Sequence, residues 1–256
     1  MLLRVEEVVK NYDGLRALNR ISLRVSKGTV KGLMGPNGAG KSTLFHLISG
    51  MERPDSGRIF FKEREITGLP PHEVFRLGIG RTFQTLQIFG NMTVVENVLT
   101  GMHTKLRGGI LSHGLSLPWS RRDEARAMAE AKEILERFGL FGRWKWFASQ
   151  LAYGEQRRLE IARAFASKPD LLLLDEPAAG LTSPEAKHLV QTLSDLKEEG
   201  LTLFLIEHHL GMVMEMADEV AVLHNGELIA EGPPERVKRD PAVREAYGPK
   251  RESRSG

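Results

Sequence analysis

The clearest chemistry in this sequence lies in one glycine-rich stretch, Gly35-Pro36-Asn37-Gly38-Ala39-Gly40-Lys41-Ser42-Thr43. It fits the phosphate-binding pattern of a glycine, four residues, a second glycine, a lysine, and then a serine or threonine. In such a loop the glycines let backbone N–H groups curve around a phosphate, while Lys41 reaches the outer phosphates. The Ser42 hydroxyl would hold Mg²⁺ beside them. The stretch therefore predicts a binding site for a nucleoside phosphate with Mg²⁺.

A second candidate is the acidic pair Asp175-Glu176, which follows an uninterrupted run of leucines at 171–174. Such a run is typical of a central parallel strand covered on both faces. Open α/β sheets bind ligands at the carboxyl ends of their strands, where this pair lies. Two acidic residues alone are more commonly a helix cap and a surface charge. Following a phosphate-binding loop in the same chain, they predict one carboxylate that holds Mg²⁺ and a second that orients a water molecule.

The residues around these motifs predict the elements that position them. Residues 30–34 have the pattern of a buried strand that leads into the glycine-rich loop, and helical spacing follows it. The alternating segment 21–25 and an apolar strand before it predict a small antiparallel sheet beside the nucleotide. Ser183 before Pro184 marks a helix start, and Asn225-Gly226 marks a hairpin turn. Together these patterns predict an α/β fold in which a small antiparallel sheet lies beside the nucleotide site.

Composition limits the kind of protein. The chain has 256 residues and 28.6 kDa, with 41% apolar and 27% charged residues, as expected of one large α/β domain with or without an inserted lobe. No apolar run approaches the ~20 residues that cross a bilayer, so we expect any membrane role to come through a partner. The net charge of +3 owes much to the C-terminal tail, which we interpret as a solvated end, and we expect no nucleic-acid partner. The absence of cysteine excludes disulfides, thiol catalysis and cysteine-bound zinc.

One further stretch identifies a family. Residues 151–164, Leu-Ala-Tyr-Gly-Glu-Gln-Arg-Arg-Leu-Glu-Ile-Ala-Arg-Ala, open a helix shortly before the acidic pair. They resemble the signature motif of ABC transporter ATPase subunits, whose usual form is Leu-Ser-Gly-Gly-Gln. The resemblance implies an α/β fold of the P-loop NTPase class, a RecA-like core with an antiparallel β subdomain and an inserted α-helical lobe. It further implies a chain that binds ATP and Mg²⁺ and hydrolyses ATP for transport. It also implies transmembrane permease subunits as partners, and a second ATPase subunit, identical or different, with ATP sandwiched between the two.

The same resemblance assigns roles to single residues. Tyr12 would stack on adenine, Glu176 would be the catalytic base, and His208 would contact the γ-phosphate. Gln84 would sense the γ-phosphate and Mg²⁺ and link the site to the permease. Mg²⁺ would be held by Ser42, Gln84 and Asp175. The nucleotide itself would be bound by Asn37, Gly38, Ala39, Gly40, Lys41, Ser42 and Thr43 and, across the subunit boundary, by Ala152, Tyr153, Gly154 and Glu155.

The subfamily can also be predicted. Leu-Ala-Tyr-Gly at 151–154 is similar to one of the two ATPase subunits of branched-chain amino acid importers, as are residues 81–84, 92–97, 101–122, 176–181 and 240–247. This resemblance implies a peripheral protein on the cytoplasmic face of the membrane. It also implies an external solute-binding protein as an indirect partner. Another cargo, such as urea or amides, or lipopolysaccharide export, stays open as an alternative.

Three departures from the family pattern concern the site. Ala152 has no hydroxyl where the usual serine would meet the γ-phosphate, so the Gly154 backbone would have to supply that donor. Thr182 stands where Asp or Asn is usual after the catalytic base, and His209 replaces a frequent Asp. These departures affect the contacts across the subunit boundary more than ATP binding itself.

We divide the chain into a nucleotide-binding core with its β subdomain (1–84 and 157–240), an α-helical signature lobe (85–156) and a C-terminal tail (241–256). Ile88-Phe89 in the lobe could receive a short permease helix or could pack into the lobe itself. Two other classes compete with an importer subunit. A soluble ABC ATPase acting on DNA or ribosomes would generally carry two cassettes or a long insertion, and a regulatory module without turnover would lack Lys41 or Glu176.

Overall fold

A computed structural model describes residues 1–102, 118–207 and 210–247, with the backbone alone described at 118–121 and 210. Backbone contacts divide the chain into two compact units, Met1–Pro71 with Phe204–Gly256, and His72–Leu203. Within the described ranges, no helix combines the length and the apolar character needed to cross a bilayer. The elements follow one another as β1 (Leu3–Tyr12), β2 (Leu15–Val25), β3 (Val30–Met34), α1 (Lys41–Ile48), β4 (Ser56–Phe61), β5 (Arg64–Glu65), α2 (Pro71–Leu77), β6 (Ile79–Arg81), α3 (Val94–Gly101), α4 (Pro118–Arg137), α5 (Tyr153–Ala166), β7 (Leu171–Asp175), α6 (Ser183–Glu198), β8 (Thr202–Ile206), α7 (Leu210–Met216), β9 (Glu219–His224), β10 (Glu227–Gly232), α8 (Pro234–Arg239) and α9 (Pro241–Tyr247).

The first unit contains the predicted antiparallel sheet, in the order β2-β1-β4-β5. β1 pairs with β2 from Leu3↔Val25 to Tyr12↔Leu15, and its other edge pairs with β4. Alternate residues such as Leu3 and Val5 are buried because one face of each strand covers the core and the other meets solvent. Tyr12 ends the first strand of this sheet.

The same unit holds the strand that delivers the phosphate-binding loop. All residues of β3 are buried, and β3 pairs in parallel with β9, which pairs antiparallel with β10. The turn between β9 and β10 contains Asn225 and Gly226 with φ of 49° and 78°, as the Asn-Gly signal predicts for a tight hairpin. Helix α1 follows the loop and packs into the core, with the rings of Phe45 and Phe204 4.9 Å apart. A buried strand before the loop and a packed helix after it fix both ends of the loop.

The second unit is mainly helical, with the parallel pair β6 and β7 in register from Ile79↔Leu171 to Arg81↔Leu173. Helix α3 begins with a capping box in which the Thr93 hydroxyl accepts the Glu96 N–H and the Glu96 carboxylate accepts the Thr93 N–H. Helix α3 packs against α4 and α5. The strand β7 is buried throughout because it carries the leucine run.

The start of α6 differs from the sequence prediction by one residue. The cap is Thr182 rather than Ser183, because the Glu185 carboxylate accepts hydrogen bonds from the Thr182 N–H at 2.9 Å and from its hydroxyl at 2.7 Å. Serine and threonine are both good cap residues, so the position of the acidic partner three residues on decides between them. The glycine-rich segment at 103–117 lies outside the described residues.

Candidate functional site

The phosphate-binding loop in the first unit is shaped by its glycines. Gly35, Gly38 and Gly40 have φ of 149°, 79° and 101°, a region that side chains rarely allow. A Cβ on Gly35 would lie 2.2 Å from the Leu223 backbone oxygen, and one on Gly40 would lie 2.6 Å from the Ala17 backbone oxygen. Glycine at positions 35 and 40 is therefore favoured by close backbone approach as well as by φ, whereas at position 38 it is favoured by φ alone.

Lys41 is held against the loop that precedes it. Its side chain is almost fully buried, and its ammonium group donates to the backbone oxygens of Gly35 at 2.8 Å and Pro36 at 3.0 Å. Ser42 and Thr43 are half-buried in the first turn of α1, where unpaired N–H groups and the helix dipole favour an anion. The loop thus presents a fixed cation, N–H donors and a hydroxyl to one space, and these groups fit the phosphates of a nucleotide.

Tyr12 lies at the end of β1 with part of its ring exposed. Its hydroxyl donates to the Glu52 carboxylate, and the ammonium nitrogen of Lys10 lies 5.1 Å from the centre of its ring. Burial is the largest cause that raises the pKa of Tyr12 to about 12, together with the hydrogen bond and charge of Glu52, and a hydrogen bond with the Thr43 side chain opposes the shift. The contact with Thr43 places this aromatic side chain beside the phosphate-binding loop, as a base-stacking role requires.

The acidic pair lies in the second unit at the end of β7. Asp175 is buried, and one of its carboxylate oxygens lies 3.6 Å from a guanidinium nitrogen of Arg81. The Asp175 N–H donates to the Thr82 hydroxyl at 3.3 Å. Burial lowers the pKa of Arg81 from its ordinary value, and the charge of Asp175 opposes that shift. Asp175 is therefore held as a buried carboxylate at the edge where α/β sheets bind ligands.

Glu176 has an uncommon backbone conformation, and its side chain contacts another residue that the sequence predicts for catalysis. Its φ is 48°, a left-handed conformation that costs of order 1–3 kcal/mol in a non-glycine residue and is common at functional sites. The side-chain amide of Gln84 donates to the Glu176 carboxylate at 3.5 Å. The structure therefore brings together two of the residues that the sequence predicts for catalysis.

The signature stretch begins α5 and contacts the segment that follows Glu176. A Cβ on Gly154 would lie 2.3 Å from a carboxylate oxygen of Glu185, so a larger residue there would require the Glu185 side chain to move. Tyr153 is about half exposed, and its ring would come within 2.8 Å of a Cβ on Gly180. Ala152 is the N-cap residue of α5 and is exposed. The backbone of this turn is thus packed closely against residues 180–185.

Glu155 has partners within its own unit. Its carboxylate accepts a hydrogen bond from the Ala152 N–H at 3.1 Å and forms an ion pair with Arg143 at 2.9 Å. This arrangement caps the helix start, because an acidic side chain at the third helical position reaches back to the N-cap N–H.

Two residues of this region were not predicted from the sequence. Arg157 and Glu160 are buried and form an ion pair within α5 that contacts both the loop of Gln84 and the backbone of the acidic pair. The sequence did contain a signal for this ion pair, because Arg157 and Glu160 carry opposite charges and lie three residues apart on the helix. Their neighbours Leu159 and Ile161 are apolar and buried.

The remaining predicted residues divide between the units and the undescribed part of the chain. Tyr12 and the phosphate-binding loop belong to the first unit, whereas Gln84, Asp175, Glu176 and the signature stretch belong to the second. His208 lies outside the described residues, as does His209. In the parts of the chain that are described, no group of three or more His, Cys, Asp or Glu side chains forms a metal cluster. The predicted Mg²⁺ ligands are of a different kind, a hydroxyl, an amide and one carboxylate.

Comparison with known proteins agrees with these observations. Residues 18–179 match the family model of the ABC transporter, and residues 227–247 match that of the branched-chain amino acid ATP-binding cassette transporter. A high-affinity branched-chain amino acid transport ATP-binding protein, LivG of Salmonella typhimurium, is 41% identical over 247 residues, which cover 96% of this chain and 97% of that protein.

Solved structures give the same result. The ADP conformation of an ATP-binding cassette of an ABC transporter is 36% identical with a TM-score of 0.83, and the match covers 96% of this chain and 98% of that one. A dimeric cassette in a post-hydrolysis state, bound to ADP and phosphate, is 26% identical with a TM-score of 0.77 over 91% of this chain and 99% of that one. The fold, the glycine-rich loop, the acidic pair at the end of β7 and these matches together show that the chain belongs to the ABC transporter family, as one of its ATP-hydrolysing cassettes.

Proposed function

We propose that this chain is the ATP-hydrolysing subunit of an importer for branched-chain amino acids. The observation that carries the catalytic part is the contact between the Gln84 amide and the Glu176 carboxylate at the end of a buried strand. The cargo is supported by the match of residues 227–247 and by the name of the relative that is 41% identical. As a member of its family, the chain binds a nucleotide and works with a membrane permease and a paired ATPase subunit.

The nucleotide would be ATP, held by backbone N–H groups of residues 37–43 and by the ammonium of Lys41. Tyr12 would stack on adenine, since its ring is partly exposed and lies beside Thr43. We propose that Ser42, Gln84 and Asp175 hold Mg²⁺, which neutralises phosphate charge when it is bound. The donors fit this ion, because Mg²⁺ prefers oxygen ligands such as hydroxyl, carbonyl and carboxylate groups.

Glu176 would act as the general base. Its carboxylate would accept a proton from the water that attacks the γ-phosphorus, while the bond to the bridging oxygen of ADP breaks. The hydrogen bond with Gln84 would help to orient the carboxylate, and positioning is one of the two main contributions that a protein makes to phosphoryl transfer. His208 would contact the γ-phosphate, a role carried by the family resemblance alone.

The second half of each site would come from another ATPase subunit, identical or different. We propose that Ala152, Tyr153, Gly154 and Glu155 face the nucleotide of that partner, as the dimeric form of the 26% identical cassette supports. With no hydroxyl on Ala152, the contact to the γ-phosphate would rest on backbone N–H groups at the start of α5, such as that of Gly154. The close packing of Gly154 on Glu185 holds that backbone in place.

The permease would bind to an exposed apolar patch in the second unit. Its large apolar side chains are about 40–50% exposed; they are Phe89, Met92, Trp146 and Phe147. They lie on two segments joined by backbone hydrogen bonds, including those from Ala148 N–H to the Met92 oxygen at 2.9 Å and from Val94 N–H to the Trp146 oxygen at 2.9 Å. An exposed Phe89 favours contact with a partner over packing into the lobe, and a short amphipathic permease helix fits such a patch. This patch lies in the lobe 85–156, which we propose as the coupling element.

The complete importer would also use an external solute-binding protein, and this chain would lie on the cytoplasmic face of the membrane. The experiment is reconstitution of the chain with the permease subunits and the second ATPase subunit of such an importer, in liposomes containing ATP. We expect uptake of labelled leucine, isoleucine or valine that depends on ATP and on the binding protein. Uptake of urea but not of these amino acids would overturn the cargo, and ATP hydrolysis stimulated by DNA or ribosomes instead of permeases would overturn the class.

A further inference from the structure

The charged side chains that are most completely buried in the second unit form one ion pair on the signature helix. Arg157 and Glu160 are each 1% exposed, and their side chains meet at 2.6 Å. Charged groups are rarely buried without an opposite charge or hydrogen-bond partners, because desolvation is costly. The partners of this pair therefore indicate what it does.

The guanidinium of Arg157 connects two segments that the proposed mechanism needs. One of its nitrogens donates to the backbone oxygens of Asp175 at 2.5 Å and Glu176 at 2.8 Å. The other donates to the backbone oxygen of Phe83 at 2.7 Å, next to Gln84. The planar fork of arginine can serve several acceptors at fixed angles, which a lysine ammonium cannot do.

Glu160 holds the other side of the Gln84 segment. One of its carboxylate oxygens accepts hydrogen bonds from the Phe83 N–H at 3.3 Å and the Gln87 N–H at 3.2 Å. Burial raises the pKa of Glu160, and the charge of Arg157 and the two N–H groups oppose that rise. Both ends of the turn 83–87 are thus attached to one helix, and Gln84 lies within the turn.

We propose that Arg157 and Glu160 are positioning residues that fix the Gln84 amide against the Glu176 carboxylate and carry movements of residues 83–87 to Glu176. Arg157 binds the Glu176 carbonyl, and so stabilises the left-handed backbone at this residue, whose φ is 48°. Because Arg157 lies in the first turns of α5, the same pair links the nucleotide-facing stretch 152–155 to both segments. This inference rests on the proposed function, with Glu176 as the base.

The main test is Arg157→Lys in the full chain, alone and in the reconstituted importer. Lysine keeps the charge but cannot serve all the carbonyl groups, so we expect kcat for ATP hydrolysis to fall by about 10–100-fold, as displacement of a catalytic group by ~1 Å can cause. KM for ATP should stay within about twofold, because the glycine-rich loop and Tyr12 are unchanged. Stimulation of ATPase by the permease should also be lost, a change that a merely structural role would not produce.

The matched control is Arg158→Lys, the same substitution at the next residue. Arg158 donates to the Phe138 backbone oxygen at 2.9 Å, far along the chain from residues 83–87 and 175–176. We expect kcat and permease stimulation to stay within about twofold of wild type in this variant. Equal losses in both variants would show that any arginine change in α5 impairs the fold, and would overturn the specific assignment.

A second variant, Glu160→Gln, keeps the test decisive if Arg157→Lys does not fold. The glutamine oxygen can still accept the two N–H groups, but it no longer balances the Arg157 charge, so we expect a kcat loss smaller than that of Arg157→Lys with KM unchanged. If both variants fold and both keep the wild-type kcat and permease stimulation, the proposal is overturned. If Arg157→Lys does not fold, a Glu160→Gln variant with wild-type kcat and permease stimulation also overturns it.

Combination with Glu176→Gln separates failure of this inference from failure of the proposed function. If Glu176 is the base and Arg157 acts through it, adding Arg157→Lys to Glu176→Gln should lower residual hydrolysis by less than twofold. Independent, multiplying losses would overturn the positioning role. Wild-type-like hydrolysis in Glu176→Gln alone would instead remove Glu176 as base, and with it the function on which the inference rests.

Discussion

The two units hold their candidate functional residues in place by different means. In the first unit the backbone is the main determinant, because Gly35, Gly38 and Gly40 adopt conformations closed to other residues and Lys41 binds carbonyls only a few positions away. In the second unit, buried side chains such as Arg157 join segments that are far apart in sequence. A site formed by backbone groups is rigid, whereas a network of side chains can adopt two arrangements, as coupling to a partner requires.

Of the substitutions that test this comparison, we expect the largest loss of activity at Glu176, the proposed general base. Glu176→Gln should retain Mg-ATP binding, because the phosphate-binding loop belongs to the other unit, but it should lose about 10²–10⁴-fold in turnover. Single-turnover hydrolysis and equilibrium binding of ATP measure the two quantities separately. Loss of ATP binding together with turnover would contradict the expectation that the phosphate-binding loop binds ATP without Glu176.

The same variant tests the composite site. We expect a chain that is monomeric or weakly associated with ADP, and an ATP-bound dimer when Glu176→Gln is saturated with Mg-ATP. Sedimentation should be measured with the chain alone and with the partner ATPase, because the native pair could be a heterodimer. A monomer under all these conditions would leave the sandwich arrangement without support.

The phosphate-binding loop of the first unit should be disrupted by a change at Gly40. A Cβ there would lie 2.6 Å from the Ala17 oxygen at a φ of 101°, so Gly40→Ala should cost of order 1–3 kcal/mol, or about 5–150-fold in ATP affinity. The control is Gly14→Ala, since Gly14 also has a positive φ, 87°, but nothing within 4 Å of the added Cβ. Fluorescent-nucleotide titration compares the two, and equal affinities would show that close approach at Gly40 does not shape the loop.

Coupling can be tested at Phe89. Phe89→Asp places a charge in the proposed permease contact, and loss of one aromatic anchor typically costs about 2 kcal/mol or more, which is roughly 30-fold in affinity. Transport and permease-stimulated ATPase in the reconstituted importer should fall accordingly, while hydrolysis by the isolated chain is retained. Phe141→Asp is the control, because Phe141 is similarly exposed and lies outside the 89–93 and 146–149 segments. Loss of hydrolysis in the isolated chain would indicate a core role for Phe89.

The smallest effect is expected at Glu52, which orients Tyr12. Glu52→Gln removes the charge that, after burial, helps to raise the Tyr12 pKa to about 12, so the pKa should fall toward the ordinary value of about 10. The raised value stabilises the fold fully below pH 10, and this contribution is lost as pH rises through about 12. Tyrosine-labelled NMR, assigned with Tyr12→Phe, measures the shift. We expect ATP affinity to fall only by about 2–5-fold, because the glutamine oxygen can still accept the Tyr12 hydroxyl and the hydrogen bond is weakened by only about 0.5–1 kcal/mol.

The sequence by itself determined the features whose causes lie close together along the chain. The phosphate-binding loop could be predicted because its glycines, lysine and serine are contiguous, and the hairpin because Asn225-Gly226 carries its own backbone preference. The buried strand before Asp175 could be predicted because its leucines form an unbroken run. In each case the physical cause is a local backbone or burial preference that neighbouring residues express together.

Only the tertiary structure decided which distant groups share a buried space. Nothing local indicates that Arg157 binds the carbonyls of Phe83 and Glu176, or that the Glu185 carboxylate lies against Gly154. Even the one-residue shift of the α6 cap depends on which hydroxyl the Glu185 carboxylate reaches. A buried polar group binds whatever the packed chain brings within hydrogen-bond distance, and that set of neighbours exists only after folding.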